Sequence, residues 1–196
     1  MPGAEDLIFQ ISNGNREAFR LLYDLFQAKV YNTCLSYLKN NEEAEEATQD
    51  VFLEIHKSAS LFRYESSAST WVYRLSVNKC LDRIRHRKRQ KRFTMIFGLF
   101  NKDTGALEVD PPEFYHPGIQ LENKEQATIL FKAIDKLPEN QQTAFILKHV
   151  EGLPQKEIAQ IMQMGEKAVE SLLQRAKANL RKLLSDFYNN TEGKIK

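Results

Sequence analysis

The sequence predicts an all-α protein made of two small helical domains joined by a flexible linker. Apolar residues recur at spacings of three and four along most of the chain, which is the period of amphipathic helices. No segment shows the strict alternation of apolar and polar residues that a half-buried strand requires. Between residues 93 and 118, three prolines and three glycines interrupt the helical period, which indicates a break between two domains.

The composition suits this architecture and excludes several classes of protein. A chain of 196 residues, 42% hydrophobic and 28% charged, can bury one moderate core or two small ones. It has two cysteines and no apolar run near the roughly 18 to 20 residues that span a bilayer, so we expect neither a disulfide-stapled protein nor membrane insertion. No basic group precedes an apolar stretch at the start, so no signal peptide is predicted and we expect a cytoplasmic protein.

The first long helix is predicted from Arg16 to Leu38. Its apolar stripe consists of Phe19, Leu22, Tyr23, Phe26, Val30, Cys34 and Leu38. Gly14 and Asn15 separate it from a shorter helix before it. Asn40 followed by Glu43 predicts a capping box at the start of the second long helix.

The second long helix is expected to have one buried and one exposed stripe. The buried positions are Ala44, Thr48, Val51, Phe52 and Ile55. The opposite stripe is polar with a single leucine, and consists of Glu46, Gln49, Asp50 and Leu53. Residues 40–54 hold six acids and no base, so this helix presents a negative surface.

A serine-containing loop over residues 61–69 leads into a third long helix, predicted from about Thr70 to Arg92. The helix is expected to bury Tyr73, Val77, Leu81 and Ile84. Another face suits a phosphate backbone and is formed by Arg74, Asn78, Asp82, Arg85 and Arg89, with Lys79, Arg83, Arg87 and Lys88 alongside. The alternative is a solvated helix end. Residues 74–92 hold nine bases and one acid, which implies a second surface of opposite sign and a different partner.

Four aromatic residues lie close to this basic stripe in the sequence: Phe62, Tyr64, Trp71 and Tyr73. A ring can stack on an unpaired base while an arginine holds its phosphate, so the segment is typical of a single-strand site. Trp71 and Tyr73 are the pair more expected in the core.

Residues 93–121 are predicted to be the linker. Its apolar start, Phe93 to Phe100, is interpreted as an extension of the third helix packed on the first domain. The second domain begins with a helix from about Glu122 to Lys136, and Pro138 and Gly152 bound the next helix. The last helix carries an apolar stripe of Val169, Leu172, Leu173, Ala176, Leu180, Leu183, Leu184 and Phe187.

A short helix, a tight turn and a second helix between Gln155 and Lys177 predict a helix-turn-helix. Ala159 lets the second helix cross closely and Val169 anchors it, whereas Gln163 and Gly165 suit the turn less well. The exposed face, which can reach a major groove, consists of Lys167, Glu170, Ser171, Gln174, Arg175, Ala178 and Arg181. The alternative is a three-helix bundle with solvated charges.

Several stretches of the first domain resemble region 2 of bacterial sigma factors: residues 43–55 (EAEEATQDVFLEI), 62–63 (FR), 69–75 (STWVYRL) and 78–85 (NKCLDRIR). Residues 137–142 (LPENQQ), 152–161 (GLPQKEIAQI) and 169–177 (VESLLQRAK) are similar to region 4. Both regions in this order, in so short a chain, resemble the extracytoplasmic-function (ECF) group. The resemblance implies region 2 over residues 1–92, the linker over 93–121 and region 4 over 122–196.

The resemblance also implies a role for each surface. The acidic helix would dock on the clamp helices of core RNA polymerase through Glu46, Gln49, Asp50 and Leu53. Capture and melting of the minus-ten promoter element would involve Phe62, Arg63, Tyr64, Ser67, Trp71, Arg74, Asn78, Arg85 and Arg89. Reading of the duplex minus-thirty-five element would involve Lys167, Glu170, Ser171, Gln174, Arg175 and Arg181. An anti-sigma factor is a further implied partner.

We expect neither an enzyme nor a metal or cofactor site. His56, His86, His116 and His149 are scattered, and no histidine or cysteine lies at metal-ligand spacing near the acidic helix. The alternative function is a stand-alone helix-turn-helix transcriptional regulator. Such a protein needs only the second domain and leaves the acidic helix, the basic stripe and the aromatic loop without a role.

Overall fold

The computed structural model describes residues 2–98 and 124–192, and the side chains of residues 2–93 and 126–185. The all-α prediction is confirmed, since the described residues form eight α-helices with no strand among them. Contacts divide the chain into two compact units, Met1–Pro112 and Glu113–Lys196. The domain limits at residues 92 and 122 stay predictions. No described helix combines the length and apolarity needed to cross a bilayer.

The first unit begins with two helices joined by a short turn. α1 spans Ala4–Ser12 and α2 spans Arg16–Leu38, so the predicted bounds of the long helix are confirmed. Gly14 makes the turn with φ of 82°, a conformation that residues with a Cβ rarely adopt. Asn15 then caps α2, because its side-chain oxygen accepts hydrogen bonds from the backbone amides of Glu17 and Ala18, at 3.0 and 3.1 Å.

α3 spans Asn41–Ser58 and continues into a 3-10 turn, Ala59–Leu61. The Asn40 side chain accepts a hydrogen bond from the Glu43 amide at 2.9 Å, which is the first half of the predicted capping box. The Glu43 carboxylate contacts Arg87 of the next helix rather than the Asn40 backbone. The start of α3 is thus held partly by its own cap and partly by a neighbouring helix.

α4 spans Ala68–Gly98 and ends well beyond the predicted Arg92. The helical extension inferred from the apolar run is therefore present as far as Gly98. Its predicted packing on the first domain lies outside the described side chains. The remainder of the predicted linker, residues 99–121, lies outside the described residues.

The core of the first unit lies where α2 packs against α3 and α4. All five α3 positions predicted to be buried are buried. On α4, Tyr73, Val77 and Leu81 are buried, and Ile84 is half-buried. Tyr23, a member of the predicted apolar stripe, is not buried: it is 38% exposed at the rim of the core, with its ring 4.6 Å from that of Phe52. In this half of α2 the buried stripe runs through Ala18, Leu22 and Phe26, which leaves Tyr23 at its edge. Phe19 is half-buried there.

Both cysteines lie in this core as free thiols, Cys34 on α2 and Cys80 on α4. A hydrogen bond between the Cys80 thiol and Cys34, together with burial, raises the pKa of Cys80 well above its ordinary value. Cys80 therefore packs as a neutral, protonated thiol.

The described residues of the second unit, 124–192, form four α-helices. α5 spans Lys124–Ile134, and α6 spans Glu139–Phe145 and runs into a π-helical turn, Ile146–Val150. Gly152, with φ of 71°, follows this turn as predicted. α7 spans Gln155–Ile161 and α8 spans Glu166–Glu192.

α8 packs against α5, α6 and α7 and supplies much of the second core. Of its predicted stripe, Val169, Leu173, Ala176 and Leu180 are buried. Leu172, Leu183 and Leu184 are half-buried, and the side chain of Phe187 lies outside those described. From the preceding helices, Ile134 and Leu137 are buried as expected and Leu130 is half-buried.

Candidate functional site

The exposed stripe of α3 forms one continuous surface, which we call the acidic face: Glu46, Gln49, Asp50 and Leu53. The side chains of Glu46 and Asp50 are 68% and 44% exposed, and Leu53 is 57% exposed. Gln49 is exposed beside them. The face therefore offers a large apolar side chain next to carboxylates, and such a surface suits a partner that is basic around an apolar contact.

A ladder of ion pairs connects α3 to α4 along one edge of the acidic face. Lys79 pairs with Glu54 at 3.0 Å and Arg87 with Glu43 at 3.2 Å. Between these two pairs, Arg83 bridges the carboxylates of Glu46 and Asp50. The pairs run in opposite directions along the two helices, so the helices are antiparallel.

Arg83 lies at the centre of the ladder. Its Nη1 donates to Glu46 Oε2 at 3.1 Å, and its Nη2 donates to Asp50 Oδ2 at 2.6 Å. Burial by itself lowers the pKa of Arg83, but the hydrogen bonds that Arg83 donates to Asp50 and Glu46 more than offset this and raise it. Arg83 is thus a permanent cation held between two members of the acidic face.

The ladder corrects the interpretation of the charge pattern. The acidic and basic segments were expected to form separate surfaces, yet Lys79, Arg83 and Arg87 face the carboxylates of α3. Their spacing of four residues places them in one row on α4, and an acid row of similar spacing lies on α3. The matching spacing of the two rows is the feature of the sequence that could have predicted these ion pairs. It was missed because it becomes a contact only once the two helices are known to be antiparallel neighbours.

The other residues of the basic stripe are not part of the ion-pair ladder. Asn78, Arg85 and Arg89 are exposed and Arg74 is half-buried. Arg85 donates to Asp82 one turn back at 3.3 Å. The stripe continues along α4 through Lys88, Lys91 and Arg92, all exposed. This row keeps the positive charge that a phosphate backbone requires.

The aromatic loop is layered rather than uniformly exposed. The Phe62 ring lies 5.2 Å from the Trp71 ring and 4.7 Å from the Tyr64 ring. Phe62 and Trp71 are 8% and 6% exposed, whereas Tyr64 is 54% exposed. Tyr73 is buried with Trp71, as expected. Of the four aromatic residues, Tyr64 is therefore the one whose ring is accessible to a base, and it packs against Phe62, which in turn packs against Trp71.

Tyr64 also has an unusual backbone conformation, with φ of 59°. For a residue with a large side chain this left-handed conformation is strained, and it persists only where the surroundings impose it. Arg63 beside it is exposed. The loop thus holds one ring outward at a cost in backbone energy, which is typical of a binding loop.

Ser67 serves as the N-cap of α4. Its Oγ accepts a hydrogen bond from the Thr70 amide at 3.1 Å and lies 2.9 Å from the Thr70 hydroxyl. Glu5 of α1, a residue that the sequence did not single out, accepts from the Ala68 amide at 2.8 Å. These bonds anchor the loop where it enters α4, close to the positive end of the helix dipole.

The second unit contains the predicted helix-turn-helix. The Met164 amide donates to the Ala159 carbonyl at 3.0 Å, and Gln155 Nε2 donates to the Glu166 carbonyl at 2.9 Å across the turn. Gln163 has φ of 53°, so it occupies the position where glycine would be less strained, as the sequence indicated. Ala159 and Val169 are both buried at the crossing.

The outward face of α8 is available for contact. Lys167, Glu170, Gln174, Arg175, Ala178 and Arg181 are exposed, and Ser171 is half-buried. The Arg175 guanidinium folds back on its own helix, with Nη2 donating to Ser171 Oγ at 2.8 Å and Nε to the Ser171 carbonyl at 3.2 Å. To reach a base edge it must exchange these bonds for new ones.

Two lysines, one of them on α8, lie near His149. Burial lowers the pKa of His149, and the charges of Lys177 on α8 and Lys148 lower it further. The His149 ring packs on Phe145 at 4.7 Å. Lys177 of α8 and Lys148 therefore both lie near His149, and the predicted face did not include Lys177.

Both units are similar in sequence to known proteins. The family model described as Sigma-70 region 2 matches residues 22–90, and the model described as Sigma-70, region 4 matches residues 127–180. The ECF RNA polymerase sigma factor SigW of Bacillus subtilis is 30% identical over 184 residues, covering 92% of this chain and 96% of that protein. The ECF RNA polymerase sigma-E factor of Haemophilus influenzae is 31% identical, covering 87% of this chain and 89% of that protein.

Two solved structures have a similar fold. CnrH, in complex with the cytosolic domain of CnrY, matches with a TM-score of 0.64 at 20% identity over 93% of this chain and 97% of that chain. The sigma factor RpoE of Bartonella quintana, solved with the anti-sigma factor NepR, matches with a TM-score of 0.62 at 20% identity, over 85% of this chain and 96% of that chain. Both likenesses agree with the helical fold described above.

Proposed function

Because the chain belongs to the ECF RNA polymerase sigma factors, we propose that it binds core RNA polymerase through the acidic face and so directs initiation to promoters. A sigma factor is an initiation factor and not an enzyme. The observation that carries the proposal is the presence in one chain of an exposed acidic face, a loop that holds Tyr64 outward beside a basic stripe, and a helix-turn-helix with an exposed second helix.

The acidic face supplies polymerase binding. Carboxylates on an exposed helix attract a basic coiled coil over several ångströms and so speed association, while Leu53 at 57% exposure provides apolar area to bury. The clamp helices of the polymerase largest subunit are the partner we propose for this face.

The loop and the basic stripe capture the melted minus-ten element. Melting requires that the single strand be bound more tightly than the duplex, and an aromatic ring achieves this because only an unpaired base can stack on it. Tyr64 supplies the ring, while Arg63, Arg74, Arg85 and Arg89 supply charge for the phosphates. Phe62 and Trp71 act through Tyr64 by supporting it, and Ser67 by fixing the start of α4.

The second unit reads the minus-thirty-five element as duplex. Its exposed α8 face has the side chains that recognise base edges in a major groove, with Gln174 and Arg175 at the centre. Lys167 and Arg181 flank them and can hold phosphates. RpoE of Bartonella quintana was solved with an anti-sigma factor, and we propose that this chain is held inactive by such a partner in the cytoplasm.

The test is transcription by purified core polymerase with and without the chain on fragmented genomic DNA, followed by sequencing of transcript ends. We expect discrete start points with the chain and none without it. Random starts, or no association with core polymerase, would instead favour the stand-alone regulator.

A charge reversal tests the assignment of the acidic face. Asp50→Arg should abolish binding to core polymerase while the second unit keeps its duplex affinity. The matched control is Asp24→Arg, an exposed aspartate on α2 outside the acidic face. Equal loss of both activities in Asp50→Arg, or equal loss of polymerase binding in the two variants, would contradict the assignment.

A further inference from the structure

The ion-pair ladder separates the cations of α4 into two groups with different surroundings. Lys79, Arg83 and Arg87 pair with carboxylates of α3, whereas the exposed row through Arg89 and Arg92 faces solvent. Arg83 alone among the described cations of the ladder contacts two members of the acidic face. Its contacts are therefore a property of the polymerase-binding surface and not of the DNA-binding stripe.

We propose that Arg83 is a positioning residue for the acidic face: it holds the carboxylates of Glu46 and Asp50 side by side and so presents them preformed to a basic partner. This inference rests on the proposed function. The two carboxylates are one turn apart on α3, where like charges repel each other. A guanidinium that bonds to both removes that repulsion and restricts both side chains.

The geometry leaves room for a partner. Arg83 uses one oxygen of each carboxylate, Glu46 Oε2 and Asp50 Oδ2. A carboxylate can accept about four hydrogen bonds, so Oε1 and Oδ1 remain as acceptors. Because both side chains keep substantial exposure, 68% and 44%, a partner cation can bind without displacing Arg83.

Arginine is the side chain suited to this task. Its planar fork places Nη1 and Nη2 on separate carboxylates, as observed here, whereas a lysine ammonium is a point charge on a flexible stem. Without Arg83, each carboxylate would regain rotamers that must be frozen when the partner binds, at the expense of affinity.

The test measures binding of the full chain to core polymerase for Arg83→Met, Arg83→Lys and the matched control Arg87→Met. Arg87→Met removes the same charge from a pair outside the acidic face, Glu43. We expect Arg83→Met to raise Kd by about 5- to 30-fold, Arg83→Lys to give a smaller rise, and Arg87→Met to change Kd by less than about twofold. The fluorescence of Trp71, which is buried in the first unit, checks that each variant is folded.

A double-mutant background distinguishes positioning from a general loss of stability. In Glu46→Gln/Asp50→Asn, where the carboxylates are absent, adding Arg83→Met should change Kd no further. Unchanged or tighter binding by Arg83→Met, or equal losses for Arg83→Met and Arg87→Met, would overturn the inference. Should Arg83→Met fail to fold, wild-type affinity in Arg83→Lys would overturn it. Failure of the wild-type chain to bind core polymerase would refute the proposed function itself.

Discussion

Raising the pH from about 7 to about 8.5 should stabilise the first unit through Lys39, and replacing Lys39 with methionine should remove that contribution. Lys39 ends α2 in a left-handed conformation with φ of 55°, and it is half-buried. Burial, and secondarily the charge of Arg87, lowers the pKa of Lys39 from 10.5 to about 7. The folded chain therefore releases this proton far below the pH at which the unfolded chain does.

The sign and size follow from proton linkage. Between the folded pKa of about 7 and the unfolded value of 10.5, the unfolded chain binds more protons, so the free energy of unfolding rises with pH. The slope approaches about 1.4 kcal/mol per pH unit, so the gain from pH 7 to pH 8.5 is about 1.5 to 2 kcal/mol. Below pH 7 both states are protonated and the charged ammonium stays in a desolvated site, so this stabilisation is lost.

Urea unfolding monitored by tryptophan fluorescence measures this effect in the intact chain. Trp71 is the single tryptophan and is buried in the first unit, so its signal reports that unit. The raised pKa of Cys80 opposes the trend above about pH 9, where the unfolded thiol ionises. The Lys39→Met variant retains that effect, so the difference between variant and wild type isolates Lys39.

The matched control is Lys57→Met, an exposed lysine at the end of α3. Lys39→Met should be more stable than wild type at pH 7, and its advantage should shrink by about 1.5 to 2 kcal/mol on going to pH 8.5. Lys57→Met should show no such change. Parallel pH profiles for wild type and Lys39→Met would refute the reasoning.

Three further results are expected. Ser67→Ala should destabilise the first unit by about 1 kcal/mol in urea unfolding, because it removes the cap of α4. Ser67→Asp should keep the cap but weaken single-strand binding, because its negative charge repels phosphates. Equal stability of Ser67→Ala and wild type would contradict the capping role. Gln163→Gly should stabilise the second unit by about 0.5 to 1 kcal/mol, because glycine adopts positive φ without strain, and a raised thermal midpoint of the transition that Trp71 does not report would show it. Arg175→Ala should weaken binding to minus-thirty-five duplex about tenfold without changing capture of minus-ten single strand, and unchanged promoter footprints would count against that assignment.

Much of the fold was predictable because helical period and end signals are local. The bounds of α2, the cap from Asn40 and the breaks at Gly14 and Gly152 follow from side-chain size, hydrogen bonding and backbone freedom within a few residues. The early end predicted for α4 shows the limit of such signals. A charged helix continues until a residue such as glycine ends it, and the basic segment after Arg85 contains no glycine before Gly98.

The candidate site was predicted less completely because its chemistry depends on neighbours in space. Exposure of the acidic face follows from periodicity alone. The burial of Phe62 does not follow from periodicity, because a loop has no regular period. Which of its aromatic rings is buried depends only on how they pack in the folded structure. The partner of Arg83 could not be predicted either, because a positive charge suits a DNA phosphate and a carboxylate equally well.

The sequence by itself determined which segments are helical, which face of each helix is apolar, and that two units follow one another with opposite charges clustered in the first. Those properties depend on residue type and on spacings of a few positions, where local physics dominates. Only the tertiary structure decided which opposite charges meet, because the ladder between α3 and α4 joins residues that are far apart in the chain and depends on the antiparallel packing of two helices. It also decided that Tyr64 is the exposed ring, because no spacing in the sequence encodes how Tyr64 packs against Phe62 and how Phe62 packs against Trp71.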